Sequence, residues 1–162
     1  MRYEEVQGNL IKLAIKGNFD VIAHGCNCHC QMGAGIAPQM AKAFGCDKFK
    51  MEGDSWKGSI NKLGTIDFEL IRGIGKNGLA VVNAYTQYNY GRNHSDGDLR
   101  PIDYEALTLC MRKMNKEFAG FHIGLPQIGA GLAGGNWNRI KNIIQTELVD
   151  CKVTVVIYNK LA

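Results

Sequence analysis

The chain has 162 residues, of which 46% are hydrophobic and 21% are charged. This length fits one domain with a core of its own, and the composition is that of an ordinary globular protein. The net charge of +4 suits an anionic small ligand, or simply a slightly basic surface, and is too weak to indicate a nucleic-acid partner.

The hydrophobic pattern predicts strands that alternate with helices. Pro38 is tolerated only in the first turn of a helix, and Gly45 is a stop signal for the same helix. In chain order the predicted elements are an edge strand at Tyr3–Val6, a strand at Val21–Cys26, a helix at Gly35–Phe44, strands at Thr65–Ile71 and Leu79–Tyr85, a helix at Ile102–Phe118, a strand at Phe121–Leu125, a helix at Asn136–Val149 and a last strand at Lys152–Tyr158. This order predicts a mostly parallel sheet with helices on both faces.

Two glycine-rich loops, Met32–Ile36 and Gly129–Gly135, each follow a predicted strand and precede a predicted helix. Ligands of open α/β sheets bind beyond the carboxyl ends of the strands. Glycine permits close backbone approach, and a helix N-terminus offers free N–H groups to an anion. The two loops therefore predict a site that holds a diphosphate from both sides.

The second loop also matches the dinucleotide fingerprint GxGxxG. In a Rossmann unit, however, that fingerprint comes early and an acidic residue ends the next strand ~20 residues later. Here only one helix and one strand follow the motif, and Asp150 precedes that strand. The sequence therefore does not indicate a redox dinucleotide, and we expect no cofactor.

Four segments in this order, Gly8–Leu10, Ala23–Cys28, Gly33–Ala37 and Leu125–Leu132, resemble the macrodomain family over nearly the whole chain. Their combination is most similar to the branch that contains the ADP-ribose 1″-phosphate phosphatase, and it is also similar to the terminal ADP-ribose protein glycohydrolase branch. The resemblance implies a three-layer α/β/α macrodomain with a mixed, mostly parallel central sheet. It implies ADP-ribose or ADP-ribose 1″-phosphate as ligand, and ADP-ribosylated protein as a further partner.

The resemblance also implies roles for particular residues. Asn9 replaces the aspartate that accepts a hydrogen bond from adenine, and Asn27 matches the asparagine that contacts the distal ribose; turn formation is the alternative for both. Tyr85, Tyr88 or Tyr90 is expected to replace the ring that many relatives stack on that ribose and that Ala133 lacks. The expected ligand-binding set is Asn9, Leu10, Gly33, Ala34, Gly35, Ile36, Tyr85, Gln127, Gly129, Ala130, Gly131, Leu132 and Ala133.

His24 is the expected catalytic residue, together with Asn27, because it matches a histidine of the phosphatase branch. An imidazole titrates near neutral pH and can move a proton, activate water or attack phosphorus. A core histidine bound by the backbone is the alternative. His94, in the polar and aromatic stretch Thr86–Arg100, is a weaker candidate for contact with a terminal phosphate; His122 is expected to be structural.

The glycohydrolase branch uses a covalent lysine near the end of the strand at Leu79–Tyr85 and an aspartate in the second loop. This chain has Asn83–Gln87 without a lysine, and Ala133 in place of the aspartate. The expected function is therefore hydrolysis of the 1″-phosphate of ADP-ribose. De-ADP-ribosylation of protein or nucleic acid, and binding without catalysis, remain the alternatives.

Six cysteines are present, three of them at Cys26, Cys28 and Cys30. One crowded cluster lacks the two separate ligand pairs of a structural zinc site, so we expect buried thiols and no metal. The N-terminus has no secretory signal pattern and no apolar stretch nears the ~20 residues of a membrane span, which predicts a cytoplasmic protein with no membrane partner. Only Arg92 and Arg100 accompany the aromatic stretch, so nucleic acid is not an expected partner.

Overall fold

The computed structural model describes residues 2–49, 56–89, 102–131 and 133–160. The strands are β1 (Arg2–Gly8), β2 (Val21–Asn27), β3 (Ile66–Ile71), β4 (Leu79–Gln87), β5 (His122–Leu125) and β6 (Lys152–Tyr158). The helices are α1 (Leu10–Ile15), α2 (Ala37–Phe44), α3 (Tyr104–Glu117) and α4 (Trp137–Glu147), with 3₁₀ turns at Cys46–Lys48 and Ile60–Lys62. Within the described ranges, no helix is both long and apolar enough to cross a bilayer.

The six strands form one sheet in the order β1-β6-β5-β2-β4-β3. Every neighbouring pair is parallel except β3 and β4, which are antiparallel. Tyr3 pairs with Val153 at one edge, which confirms the predicted edge strand. The mixed, mostly parallel sheet confirms the expected fold class.

Helices cover both faces of the sheet because alternate strand residues are buried on opposite sides. On one face, Ile22 packs with residues of α1 and α2 such as Leu10 and Met40. On the other face, Val21 and Ala23 belong to a larger core that includes residues of α3 and α4. This three-layer arrangement brings the carboxyl ends of five strands to one side of the molecule.

Helix α1 is the one described α-helix that the sequence pattern did not predict. The side chain of Asn9 accepts a hydrogen bond from the Lys12 N–H (3.0 Å) and caps it. Leu10 and Ala14, one helical turn apart, are its buried residues. The signal was present as an N-cap asparagine before an apolar pair at i and i+4. It was missed because the six residues of α1 give too short a hydrophobic pattern for a prediction.

Candidate ligand-binding site

A cavity of about 920 Å³ lies at the carboxyl ends of the parallel strands. Residues that end or follow five different strands line it, namely Asn9, Asn27, Gln87, Pro126 and Tyr158. Both predicted glycine-rich loops contribute to its wall. This is the position at which the sequence analysis expected the ligand.

The first loop leads directly into α2. Its N-cap residue, Ile36, has no side chain that can accept a hydrogen bond from the first turn, and Pro38 stands in that turn. Ala37 and Gln39 of the same turn line the cavity. The positive end of the α2 dipole is therefore presented to the cavity without a protein cap, which favours an anion.

The second loop is held by its own backbone hydrogen bonds. Gly135 N–H donates to Gly129 O (2.8 Å), and Gly134 N–H donates to Gly131 O (3.0 Å). Gly129 has φ = 76°, and a Cβ at this position would lie 2.1 Å from Ile102 Cδ1. Only glycine fits there. Because Asn136 caps α4 with its own side chain, this loop offers its backbone to the cavity and not a helix terminus.

The N–H group of Gly131 in the second loop is not used by these bonds. Gly131 lines the cavity, and its N–H has no partner among the described residues. Gln127, Ala130 and Ala133 also line the cavity, as the sequence analysis expected. Leu132 was expected in the same wall and lies outside the described residues, as do His94 and Tyr90.

Asn27 lies at the bulge where β2 meets β4 and lines the cavity. Its Oδ1 accepts hydrogen bonds from the N–H groups of His29 (3.0 Å) and Gln31 (3.2 Å), and its Nδ2 donates to Gln31 O (2.9 Å). The side chain thus builds the turn that carries the first loop. The two expected roles of Asn27, turn formation and ligand contact, are compatible because one Nδ2 hydrogen is left over.

Asn9 and Leu10 also line the cavity. The Oδ1 of Asn9 already accepts from Lys12 N–H as the cap of α1. A carbonyl oxygen has a second lone pair, so the cap does not prevent a ligand contact. Asn9 therefore caps α1, and its Oδ1 can still accept a hydrogen bond from a ligand in the cavity.

His24 is fully buried and does not line the cavity. Strand alternation turns its side chain toward the face that α2 and the Cys46–Lys48 turn cover. Its Nε2 lies 2.7 Å from Asn83 Oδ1, 3.4 Å from Cys26 Sγ and 3.7 Å from Cys46 Sγ. The structure thus separates the expected catalytic residue from the expected ligand site.

Hydrogen bonding also fixes the tautomer of His24. The amide nitrogen of Asn83 donates to Cys46 O (2.9 Å) and to Asp67 Oδ1 (2.8 Å), so Asn83 Oδ1 must act as an acceptor. Nε2 of His24 then carries the proton and donates it. Nδ1 has no partner in the described part of the chain, and burial lowers the pKa of His24 to about 4.

His24 is consequently a neutral core residue, close to the alternative that the sequence left open, although a side chain and not the backbone binds it. Its bonded geometry also excludes an activated Cys26–His24 pair, because Nε2 is a donor and cannot take the thiol proton. Burial raises the pKa of Cys26 well above its usual value. Nothing in this arrangement supports the expected catalytic role of His24.

Tyr85 was expected to stack on the ligand, but its side chain points away from the cavity and is buried. Its hydroxyl donates to Asp67 Oδ2, and its ring lies beneath Lys62 Nζ, 4.1 Å from the ring centroid. Lys62 is itself buried and lies 3.7 Å from Asp67 Oδ2. Tyr85 belongs to this buried network because it falls on the same strand face as Asn83. Tyr88 donates to Gly58 O and does not line the cavity either.

Two aromatic residues that the sequence analysis did not select do line the cavity, Tyr158 and Trp137. Tyr158 ends β6, pairs in register with Gly8 and is 67% exposed. The available signal was its place at the carboxyl end of a parallel strand beside Asn9. Thr86 and Gln87, at the end of β4, were missed because they began a stretch interpreted as a loop.

The cavity wall is electrically neutral among the residues that the structure describes. None of the described lining residues is Asp, Glu, His, Lys or Arg. All six cysteines are free and buried, and the described residues contain no cluster of three or more metal-ligating side chains. A ligand would meet backbone N–H groups, side-chain amides, hydroxyl-bearing side chains and apolar surface.

Comparisons with known proteins agree with this architecture. No family model matches the chain. A protein of Enterobacteria phage T4, the uncharacterized 17.5 kDa protein in the tk–vs intergenic region, is 33% identical over 165 residues, which cover 96% of both chains.

Solved structures also match over nearly the full length. A protein of unknown function from Bacteroides thetaiotaomicron has a TM-score of 0.72 and 25% identity, covering 97% of this chain and 98% of that one. A macrodomain protein from Streptomyces coelicolor has a TM-score of 0.65 and 24% identity, covering 98% and 99%. A Trypanosoma brucei macrodomain in complex with ADP-ribose has a TM-score of 0.61 and 14% identity, covering 97% of this chain and 63% of that one. The chain therefore has the macrodomain fold and belongs to the family of the 17.5 kDa phage T4 protein.

Proposed function

We propose that the protein binds ADP-ribose, or ADP-ribose with a terminal phosphate, in this cavity. The proposal rests on one observation: two backbone segments that can bind an anion lie in the wall of the same cavity. The uncapped first turn of α2 and the Gly129–Gly135 loop both face the cavity, which is the arrangement that a diphosphate needs. The Trypanosoma macrodomain with the same fold is bound to ADP-ribose.

The ends of the cavity favour one orientation of the ligand. At the β1–β6 end, the exposed ring of Tyr158 stands beside Asn9, and the apolar side chains of Leu10 and Val156 line the wall. A planar ring, apolar surface and an amide are suited to a purine base. At the β2–β4 end the lining residues include Asn27, Thr86 and Gln87, which suit the hydroxyls of a sugar.

The spacing of the strands is compatible with such a ligand. Three strand intervals separate β6 from β4 in the sheet, which corresponds to about 14 Å at the usual strand spacing. Both glycine-rich loops follow strands that lie between these ends, β5 and β2. The order base, diphosphate, sugar thus follows the order of the strands.

The neutral wall supports binding more directly than acid–base chemistry. General acid–base catalysis needs a titratable group within hydrogen-bond reach of the reacting atom. Cys26 is the one thiol among the described lining residues, and burial raises the pKa of this thiol well above its usual value. Binding of ADP-ribose as such is therefore the function that the geometry supports best.

Hydrolysis of the terminal phosphate of ADP-ribose 1″-phosphate is the second candidate function. The uncapped α2 terminus favours it, because this terminus can bind the anionic terminal phosphate. De-ADP-ribosylation by a covalent lysine has less support, since the end of β4 is Asn83–Gln87 without a lysine and Ala133 stands in place of the aspartate.

Calorimetry with ADP-ribose, ADP, AMP and ribose 5-phosphate tests the binding proposal. We expect saturable one-to-one binding of ADP-ribose, weaker binding of ADP, and no measurable binding of ribose 5-phosphate. Equal affinity for AMP and ADP-ribose would refute the role of the loops. A phosphate-release assay on ADP-ribose 1″-phosphate then tests the second function, with His24→Asn as the comparison. We expect that variant to match the parent, because His24 does not reach the cavity.

A further inference from the structure

The first residue of helix α4, Trp137, has an indole ring in the cavity wall. Trp137 follows the second glycine-rich loop and its cap residue, is partly exposed and lines the cavity. Its Nε1 has no hydrogen-bond partner in the described part of the chain, and this atom is not buried. A buried indole N–H is usually hydrogen-bonded. The open edge of this ring is therefore accessible to a molecule in the cavity.

Hydrogen bonds fix the position of the indole relative to the second loop. Gly135 N–H donates to Gly129 O (2.8 Å), which closes the loop. The next residue, Asn136, donates its N–H to the hydroxyl of Tyr104 (2.8 Å) and caps α4 with its side chain. The backbone before the indole is therefore held by α3 and by α4, so the ring is part of a preformed wall.

The indole lies at the β1–β6 end of the cavity, where the proposed ligand has its base. Helix α4 joins β5 to β6, which are neighbours in the sheet, so α4 begins beside the carboxyl ends of these strands. Trp137 packs against the core on the α3 and α4 face, which includes Val155 and Ile140. Val156 belongs to the core on the opposite face, and Tyr158 lies on the same side of the strand as Val156. Trp137 and Tyr158 therefore approach the cavity from opposite faces of the sheet.

We infer that Trp137 is a ligand-binding residue whose indole packs against the purine base of the ligand, opposite the ring of Tyr158. This inference rests on the proposed function, and it names the residue that closes the base end of the site. Two aromatic rings on opposite faces suit a flat base that lies between them, because each ring can stack on one face of the base. AMP, ADP and ADP-ribose share this base, so all three make the contact.

Tryptophan fluorescence tests the contact directly, because the chain has two tryptophans, Trp56 and Trp137. Trp56 is 67% exposed and does not line the cavity, so Trp56→Phe leaves the indole of Trp137 as the one reporter. AMP, ADP, ADP-ribose and ribose 5-phosphate are titrated into this variant, and calorimetry on the same protein gives the dissociation constants. We expect the three nucleotides to quench the emission to the same level at saturation. Ribose 5-phosphate should leave the emission unchanged.

Substitution of the indole tests its contribution to affinity. Stacking of a base on an aromatic side chain contributes about five- to a hundredfold in affinity. We therefore expect Trp137→Leu, which keeps apolar bulk without an aromatic face, to weaken AMP and ADP-ribose by the same factor within this range. Trp137→Phe keeps a ring and should stay within about threefold of the parent. Trp56→Leu is the matched control and should bind like the parent. Melting temperatures are measured for each protein.

Three results would overturn the inference. The first is unchanged emission of Trp56→Phe when calorimetry shows that AMP is bound. The second is quenching by ADP-ribose but not by AMP, which would mean that the indole contacts the terminal sugar. The third is parental affinity for AMP in Trp137→Leu. If the parent binds none of the nucleotides, the proposed function itself fails. If Trp137→Leu does not fold, the fluorescence titration of Trp56→Phe, which keeps the indole, is sufficient for the decision.

Discussion

The imidazole Nε2 of His24 lies 2.7 Å from the amide oxygen of Asn83, entirely inside the protein. Asn83 in turn donates to Asp67 and to the backbone of Cys46, so the amide cannot turn over without losing both bonds. This contact makes His24 a neutral donor in the core. The contact therefore does not support the catalytic role that the resemblance implied for His24.

The burial of His24 predicts a pH-dependent stability. Its pKa is about 4 in the folded protein and about 6.5 in an unfolded chain. The unfolded state therefore binds more protons between these values, and stability falls as the pH decreases from about 6.5 toward 4. Urea unfolding at pH 7 and pH 5 should show a loss of about 2 kcal/mol from this group. His24→Gln should remove that part of the pH dependence; identical pH profiles for the two proteins would contradict the prediction.

Alanine substitution at two glycines of the second loop should affect different properties, stability at one position and ligand binding at the other. Gly129 has φ = 76° and meets Ile102, whereas a Cβ at Gly131 meets nothing within 4 Å. We expect Gly129→Ala to lower the unfolding free energy by about 1–3 kcal/mol or more through backbone strain and overpacking. Gly131→Ala should keep the parental melting temperature and weaken ADP-ribose binding about tenfold, since a methyl group enters the wall that the phosphates approach. Thermal melts and calorimetry on both variants give the comparison; a stable Gly129→Ala would refute the account of this loop.

Substitution of Tyr85 should change the stability of the protein, whereas substitution of Tyr158 should change its affinity for the ligand. Tyr85 bonds Asp67 in the buried network, so Tyr85→Phe should cost about 1–3 kcal/mol of stability and leave ADP-ribose affinity unchanged. Tyr158 is largely exposed at the cavity rim, so Tyr158→Ala should keep the stability and weaken both ADP-ribose and AMP. Denaturant unfolding and calorimetry measure the two quantities. Weaker ADP-ribose binding by Tyr85→Phe would contradict the placement of Tyr85 outside the ligand site.

The buried thiols should be unreactive in the native protein. Burial raises the pKa of Cys28 to about 12 and of Cys46 to about 11, so few thiolates exist at pH 8. We expect less than one thiol per chain to react rapidly with a colorimetric disulfide reagent. All six should react after unfolding in guanidinium chloride, which serves as the control. Rapid labelling of two or more native thiols would contradict the packing described for the cysteines.

The sequence analysis predicted the sheet, the helices α2 to α4 and the two loops, because their hydrophobic periods and glycine positions are local signals. It missed α1, whose six residues give too short a pattern. It assigned Asn27 and both loops to the cavity, where the structure places them. It misplaced His24 and Tyr85, because a strand residue's face depends on which neighbours cover it, and no local pattern reports that. Tyr158 was missed for a related reason, since its strand partner Gly8 and the cavity residue Asn9 are distant in sequence.

The central claim is that one ligand is held by both glycine-rich loops at once. Backbone amide NMR shifts, recorded while ADP-ribose is added to the ¹⁵N-labelled protein, test it most directly. We expect large, saturable shifts for Gly33, Gly35, Gly129 and Gly131 with one common dissociation constant, and small shifts for glycines remote from the cavity such as Gly73 and Gly120. Shifts confined to one loop, or absent from both at saturating ADP-ribose, would contradict it.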